Sequence, residues 1–195
     1  MRRRGNLFLI IGCLLVAASL ALLAYSRIHG EQARKHNAET VAQIASIIPP
    51  RSDGAMDSYS NMEMPVLQIS GEDYIGMLDI PAFGLTLPIG SSWDTGKVTT
   101  YPCRFWGTVY DGSLIVGGAD QPGQLDCLDQ IWDGSVVTVT DMTGGVFRYV
   151  VSRVERSKTA AAEVLTDSGA DLTLFVRDAY NLEYIIVRCQ AKGSV

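Results

Sequence analysis

The chain has 195 residues, 47% of them hydrophobic and 19% charged, with 19 Gly and 7 Pro. This excludes a disordered chain, a collagen-like chain and a pure coiled coil, and allows one ordinary domain with an appendage. A balance of 16 basic against 21 acidic residues, net −5, excludes a general nucleic-acid binder, which needs a basic face, and four cysteines are too few for a disulfide-dense scaffold.

In chain order, Arg2, Arg3 and Arg4 precede an uncharged apolar run, residues 7–25, that begins at Leu7 and ends at Tyr25. As a helix, this run would span about 28 Å, close to the hydrocarbon thickness of a bilayer. Residues 1–25 are therefore read as a membrane anchor. A cleaved signal peptide fits less well, because its apolar core is usually shorter and ends in an A-x-A-like site. Lipoprotein cleavage before Cys13, in Ile10-Ile11-Gly12-Cys13, would strand residues 14–25 after the lipid. The arginines before the run, against Arg27, Arg34 and Lys35 partly offset by Glu31, favour the amino terminus inside and the domain outside.

Residues 26–71 read as a stalk and linker. Residues 31–48 are rich in helix formers, with Ala38, Val41, Ile44 and Ile48 on one stripe, and Pro49-Pro50 ends the helix. The following Ser, Asp, Gly and Asn predict a flexible tether.

Residues 72–195 read as a folded, mainly β domain. Strands are expected at 74–80, 85–89, 112–116, 135–141, 146–154, 172–177 and 184–188, from β-branched and aromatic runs separated by turn residues. Gly144-Gly145 marks a hairpin. Short helices are expected at 125–132 and 160–164. So many short strands in one domain predict a barrel or sandwich.

Several of these segments resemble the sortase family. Tyr74-Ile75-Gly76-Met77-Leu78-Asp79-Ile80-Pro81, followed by Leu85, Leu87, Pro88 and Ile89, resembles the opening strands. Asp111-Gly112-Ser113-Leu114-Ile115-Val116-Gly117, then Leu128, Ile131 and Gly134-Ser135-Val136-Val137, resembles the segment around the catalytic histidine. Asp171-Leu172-Thr173-Leu174-Phe175 and Ile185-Ile186-Val187-Arg188-Cys189 resemble the closing strands. The resemblance covers nearly all of residues 72–189 and is nearest to class B-like and class D-like proteins of Gram-positive bacteria. It implies an eight-stranded β-barrel behind an N-terminal transmembrane helix and stalk. It also implies an enzyme in which a cysteine attacks an LPXTG-like sorting signal, a histidine shuttles protons and an arginine steadies the oxyanion.

Carried over by position, the histidine's place is held by Gly118, the cysteine's by Arg177 and the arginine's by Tyr184. Composition agrees: both histidines, His29 and His36, precede residue 72. Of the domain's cysteines, Cys189 reads as a packed strand residue and Cys103, beside Arg104, as packed or disulfide-paired. Cys127 lies between Asp126 and Asp129, whose carboxylates disfavour a thiolate. Asp120, Asp126, Asp129 and Asp133 match no EF-hand spacing and read as a solvated acidic loop, so neither metal nor cofactor is expected. Arg177 reads as a strand-end charge, or as a cation that blocks the old site or binds an anion there.

The sequence thus predicts a single-pass, extracytoplasmic, membrane-anchored sortase-like protein with no intact catalytic residue. The expected role is to bind a sorting-signal peptide, a pilin or a cell-wall component, or to assist an active sortase. The alternatives are a transpeptidase or hydrolase with relocated catalytic residues, and a purely structural relic.

Overall fold

The computed structural model describes residues 2–49, 52–53, 63–166, 169–178 and 180–192; the side chains of residues 2–10, 23, 26, 27, 29, 52 and 53 lie outside that description. The elements are α1 (Arg2–Ile47), β1 (Ser52–Asp53), β2 (Leu67–Ile69), β3 (Glu72–Ile80), β4 (Leu85–Gly90), β5 (Cys103–Trp106), β6 (Leu114–Ala119), β7 (Val136–Asp141), β8 (Gly145–Ser157), α2 (Ala162–Thr166), β9 (Leu172–Arg177) and β10 (Tyr184–Ala191).

Eight strands close a ring in the order β8-β10-β9-β6-β5-β4-β3-β7, because β7 pairs with both β3 and β8. Short β1 extends β8, and β2 extends β3. Closure works because β8 is 13 residues long: one end pairs with β7 and the other with β10. The ring is thinnest between β4 and β5, which share one parallel rung, Gly90 with Cys103. β6 and β9 pair in parallel, with β10 on the other edge of β9.

Period-two alternation sorts the side chains. On β9, Leu172, Leu174 and Val176 join the barrel core, while Phe175 belongs to a separate outer cluster. The β7–β8 hairpin turns where expected, at Gly144 with φ 84°. Buried Asp141 holds it: one carboxylate oxygen accepts from the Thr143 and Gly145 backbone N–H groups, both at 2.8 Å, and the other accepts from the Tyr110 hydroxyl at 2.7 Å. The helix expected at 125–132 is a single 3₁₀ turn, Asp126–Asp129, and the one expected at 160–164 is α2, shifted two residues along.

The expected anchor and stalk helix form one continuous helix, α1. Among the described residues no helix is long and apolar enough to cross a membrane; the start of the apolar run lies among the side chains outside the description. The second half of α1 lies against the barrel. Its buried spine is Gly30, Ala33, Asn37, Thr40 and Ile44, whereas Ala38 of the expected stripe is exposed. Val41, Ile44 and Ile48 of the stripe do pack on the barrel, and toward the amino terminus the contact continues through polar partners. The Asn37 amide donates to the carbonyls of Thr100 (3.0 Å) and Gly123 (3.2 Å), and His36 Nε2 meets the Tyr74 hydroxyl at 3.3 Å. Of the expected tether, residues 67–69 form β2, and residues 54–62 lie outside the described residues.

Candidate functional site: the outer face of β6, β9 and β10

The register of three neighbouring strands builds a floor of three rungs. The first joins Ala119, Arg177 and Tyr184, the second Gly117, Phe175 and Ile186, and the third Ile115, Thr173 and Arg188. With strands about 4.8 Å apart, each rung is roughly 10 Å wide.

Arg177 and Tyr184 therefore meet, as the sequence suggests, but Gly118 does not join them on this face. Gly118 pairs with Val176, on the inner side. A Cβ there would lie 2.7 Å from Leu125 Cδ1 and 3.2 Å from Gln124 Oε1, against the barrel core. At Gly117, by contrast, a Cβ would lie 2.5 Å from the rings of Phe175 and Trp93, on the outer side. A one-residue step reverses the face, so the residue level with Arg177 on the floor is Ala119. The Gly117-Gly118 doublet hides this parity, because neither residue has a side chain to reveal it.

Aromatic rings form one wall. Trp93 stacks on Phe175 with centroids 5.5 Å apart and planes 24° from parallel, and Phe105 stands edge-on to Trp93 at 5.5 Å and to Phe175 at 5.6 Å. Only glycine at 117 leaves room for this arrangement. The second wall, α2 and its approach, closes over the second and third rungs, where Leu165, with Ala160 and Val164, shares one cluster with buried Ile115, Phe175 and Ile186. Buried Arg188 fixes that wall. Its guanidinium donates to the Leu165 carbonyl (2.7 Å), the Val164 carbonyl, Thr173 Oγ1 (3.2 Å) and Glu155 Oε1 (2.8 Å). Sequence reading missed both walls, because Trp93, Phe105, Phe175 and Arg188 come together only through the topology.

The first rung carries no nucleophile and no proton shuttle. Arg177 is exposed and has no ion-pair or hydrogen-bond partner among the described residues. Its neighbour Asp178 turns away to hold the β9–β10 loop, accepting from the Asn181 backbone (3.0 Å), the Asn181 amide (2.8 Å), Arg156 (2.7 Å) and the Tyr180 backbone (2.8 Å). These bonds, those of Asn181 first, hold its carboxyl well below the usual carboxylate range.

The cysteines lie elsewhere. Cys103, Cys127 and Cys189 are buried and unpaired, and burial pushes their thiols up to about 11, about 12 and about 12 respectively. Cys103 is thus a packed thiol, donating toward the Tyr101 carbonyl at 3.6 Å. At neutral pH such groups are almost wholly protonated and weakly reactive. His36 does reach the barrel, but it stacks on Tyr101 at 5.9 Å, within the cluster that docks α1. In the acidic stretch, burial raises the Asp126 carboxyl, with nearby Arg34 opposing. Among the described residues no three His, Cys, Asp or Glu side chains are placed to hold a metal ion.

A closed eight-stranded ring of this order, with β6 and β9 paired in parallel, matches the fold of the sortases. Structural likeness supports this directly: 89 chains of solved structures match. Sortase C1 of GBS Pilus Island 1 superposes with a TM-score of 0.56 at 18% identity, over 87% of this chain and 85% of that one. Sortase A from Corynebacterium diphtheriae gives 0.54 at 18%, over 88% and 86%. A Clostridium perfringens Sortase D5 transpeptidase gives 0.53 at 17%, over 62% and 79%. No family model matches the chain, and no curated protein matches it in sequence. The resemblance read from residues 72–189 therefore holds at the level of fold, and function rests on the residues at the site.

Proposed function

We propose that this protein is a non-catalytic sortase-like barrel that binds a peptide at the accessible first rung of β6, β9 and β10. The observation that carries this reading is the first rung. Arg177 and Tyr184, which the resemblance sets at the cysteine and arginine positions, share a rung with Ala119, and the rung holds no thiolate and no proton shuttle. Loss of a general acid–base alone costs roughly 10² to 10⁴ in rate, and loss of the nucleophile removes the covalent route. What stays is an exposed cation, Arg177, beside half-buried Ala119 and Tyr184, suited to a peptide carrying a carboxylate.

The candidate occupants are a sorting-signal peptide, a pilin or a segment of a catalytically complete sortase. In this reading residues 7–25 hold the chain in a Gram-positive cell membrane with the barrel outside. The support is the uninterrupted apolar sequence behind Arg2, Arg3 and Arg4. A mature amino terminus beyond Tyr25, or release by salt alone, would overturn the anchor.

The test of the non-catalytic reading is turnover of a quenched fluorescent sorting-peptide library, with Cys103, Cys127 and Cys189 each changed to Ala. We expect no cleavage or transfer by any form. Turnover that vanishes with one of these cysteines would establish instead an enzyme with a relocated nucleophile.

A further inference from the structure

Away from the first rung lies a cleft that shares Trp93 and Phe105 with the aromatic wall. It has a volume of about 430 Å³ and runs between the 91–93 loop and the 104–111 segment, with Phe105 at its base. This is within the usual range for small-ligand sites. Two indoles flank it: Trp93 is 36% exposed and Trp106 62% exposed. Trp106 also lines an adjoining cleft of about 370 Å³, based on Ile115 and Thr173. The two clefts thus form a track that passes over one ring.

The charged side chains lining the first cleft are Arg104, Asp111 and Glu63, the last 88% exposed. Arg104 donates to the Ser91 carbonyl at 2.8 Å and lies 3.7 Å from Glu63. Asp111 accepts from the Thr108 hydroxyl at 2.8 Å and from the Ser113 backbone N–H at 3.1 Å. The remaining polar groups are neutral, among them the side-chain hydroxyls of Ser91 and Ser92, which make no hydrogen bond among the described residues.

We propose that the Trp93–Trp106 cleft binds an uncharged glycan chain. A pyranose ring has an apolar C–H face and a rim of hydroxyls. The electron-rich face of an indole attracts the first, and neutral hydroxyls and carbonyls satisfy the second. A peptide carrying a carboxylate would find no unengaged cation here, since Arg104 is held by the Ser91 carbonyl; Arg177 stands on the first rung, whereas the adjoining cleft reaches only the third. The track over Trp106 suits a chain of sugars better than a single one.

The test is a titration of the full-length chain, held in a sugar-free zwitterionic detergent, with the β-1,4-linked N-acetylglucosamine pentamer. Fluorescence of a Trp132→Phe background reports Trp93 and Trp106 alone, and calorimetry on the native chain gives an independent reading. We expect saturable binding that Trp106→Ala weakens by about tenfold or more and that Arg177→Ala leaves unchanged. Because Trp106 is mostly exposed, circular dichroism should show the Trp106→Ala variant folded. No saturable signal up to about 10 mM, or full affinity in Trp106→Ala, would overturn the proposal. So would a sorting-signal peptide that occupies this cleft where the saccharide does not.

Discussion

The two faces of β6, β9 and β10 are made from the same stretches of chain and obey different rules. The inner face carries Leu114, Val116, Leu172, Leu174, Val176, Ile185, Val187 and Cys189, all buried in one core. The outer face carries two residues with little or no side chain, Gly117 and Ala119, and two arginines, one buried and one exposed. The inner face repeats what any closed barrel needs, interlocking apolar side chains. The outer face buries Ile115, Phe175 and Ile186 in a smaller cluster of its own, and departs from that pattern at Gly117, which makes room for a ring, at Arg188, which pins a wall, and at Arg177, which presents a charge. Core and candidate site are thus separated by one residue of register.

The largest effect should come from the inner face. Leu174 is fully buried, and Leu174→Ala should cost about 2–5 kcal/mol, read as a lower urea midpoint with an unchanged slope. Arg177→Ala on the outer face should stay within about 0.5 kcal/mol. Equal losses would erase the distinction between the faces.

A sharper comparison uses adjacent positions on one strand. Gly118→His should crowd Leu125 and Gln124 and cost about 1–3 kcal/mol by overpacking, whereas Ala119→His should be nearly neutral. Thermal melts of the two variants decide whether the floor carries residue 119 or residue 118. The reverse order would restore Gly118 to the groove.

Arg188 tests whether a buried charge on the outer face builds the site. Arg188→Met strips the carbonyls of Val164 and Leu165 of their donor, a loss of about 1–3 kcal/mol. Amide hydrogen exchange should rise over residues 160–166 and stay unchanged in the β7–β8 hairpin. Uniform exchange would mean that the α2 wall does not depend on this cation.

The smallest effect concerns the loop beside the first rung. Leu182 there adopts φ 56°, a left-handed conformation unfavourable for a leucine, and Asp178 holds the loop together. Because the Asp178 carboxyl is held low, its contribution is full above about pH 4 and is lost as pH falls further, through the folded-state value. The melting temperatures of native protein and Asp178→Asn should therefore differ steadily near neutrality and converge in acid. A gap that widens in acid would reverse the sign.

Much of the inner face was legible in the sequence, because period-two runs of Val, Ile and Leu mark strands directly. The strands expected at 74–80, 85–89, 135–141 and 172–177 fall on β3, β4, β7 and β9. β5 was missed: it has four residues, follows Pro102 and joins β4 by a single rung. The apolar part of the α1 spine was legible in Val41, Ile44 and Ile48; Asn37 and Thr40 were not, because they are buried by bonds to distant groups, which periodicity cannot register. Arg177 and Tyr184 were singled out through family resemblance, and β9–β10 pairing sets them on one rung. The aromatic wall was not found, since Trp93, Phe105 and Phe175 are brought together only by ring closure.

The central claim is that the outer face binds a peptide without reacting with it. The most direct measurement follows binding and mass together: a fluorescent LPXTG-type peptide is titrated into the native chain and Arg177→Glu, and the mixtures are then analysed by intact mass spectrometry. We expect saturable anisotropy in the native chain, affinity lower by about tenfold in Arg177→Glu, and peptide and protein masses unchanged. Equal affinity in both forms, a cleaved peptide or a covalent adduct on any cysteine would contradict it.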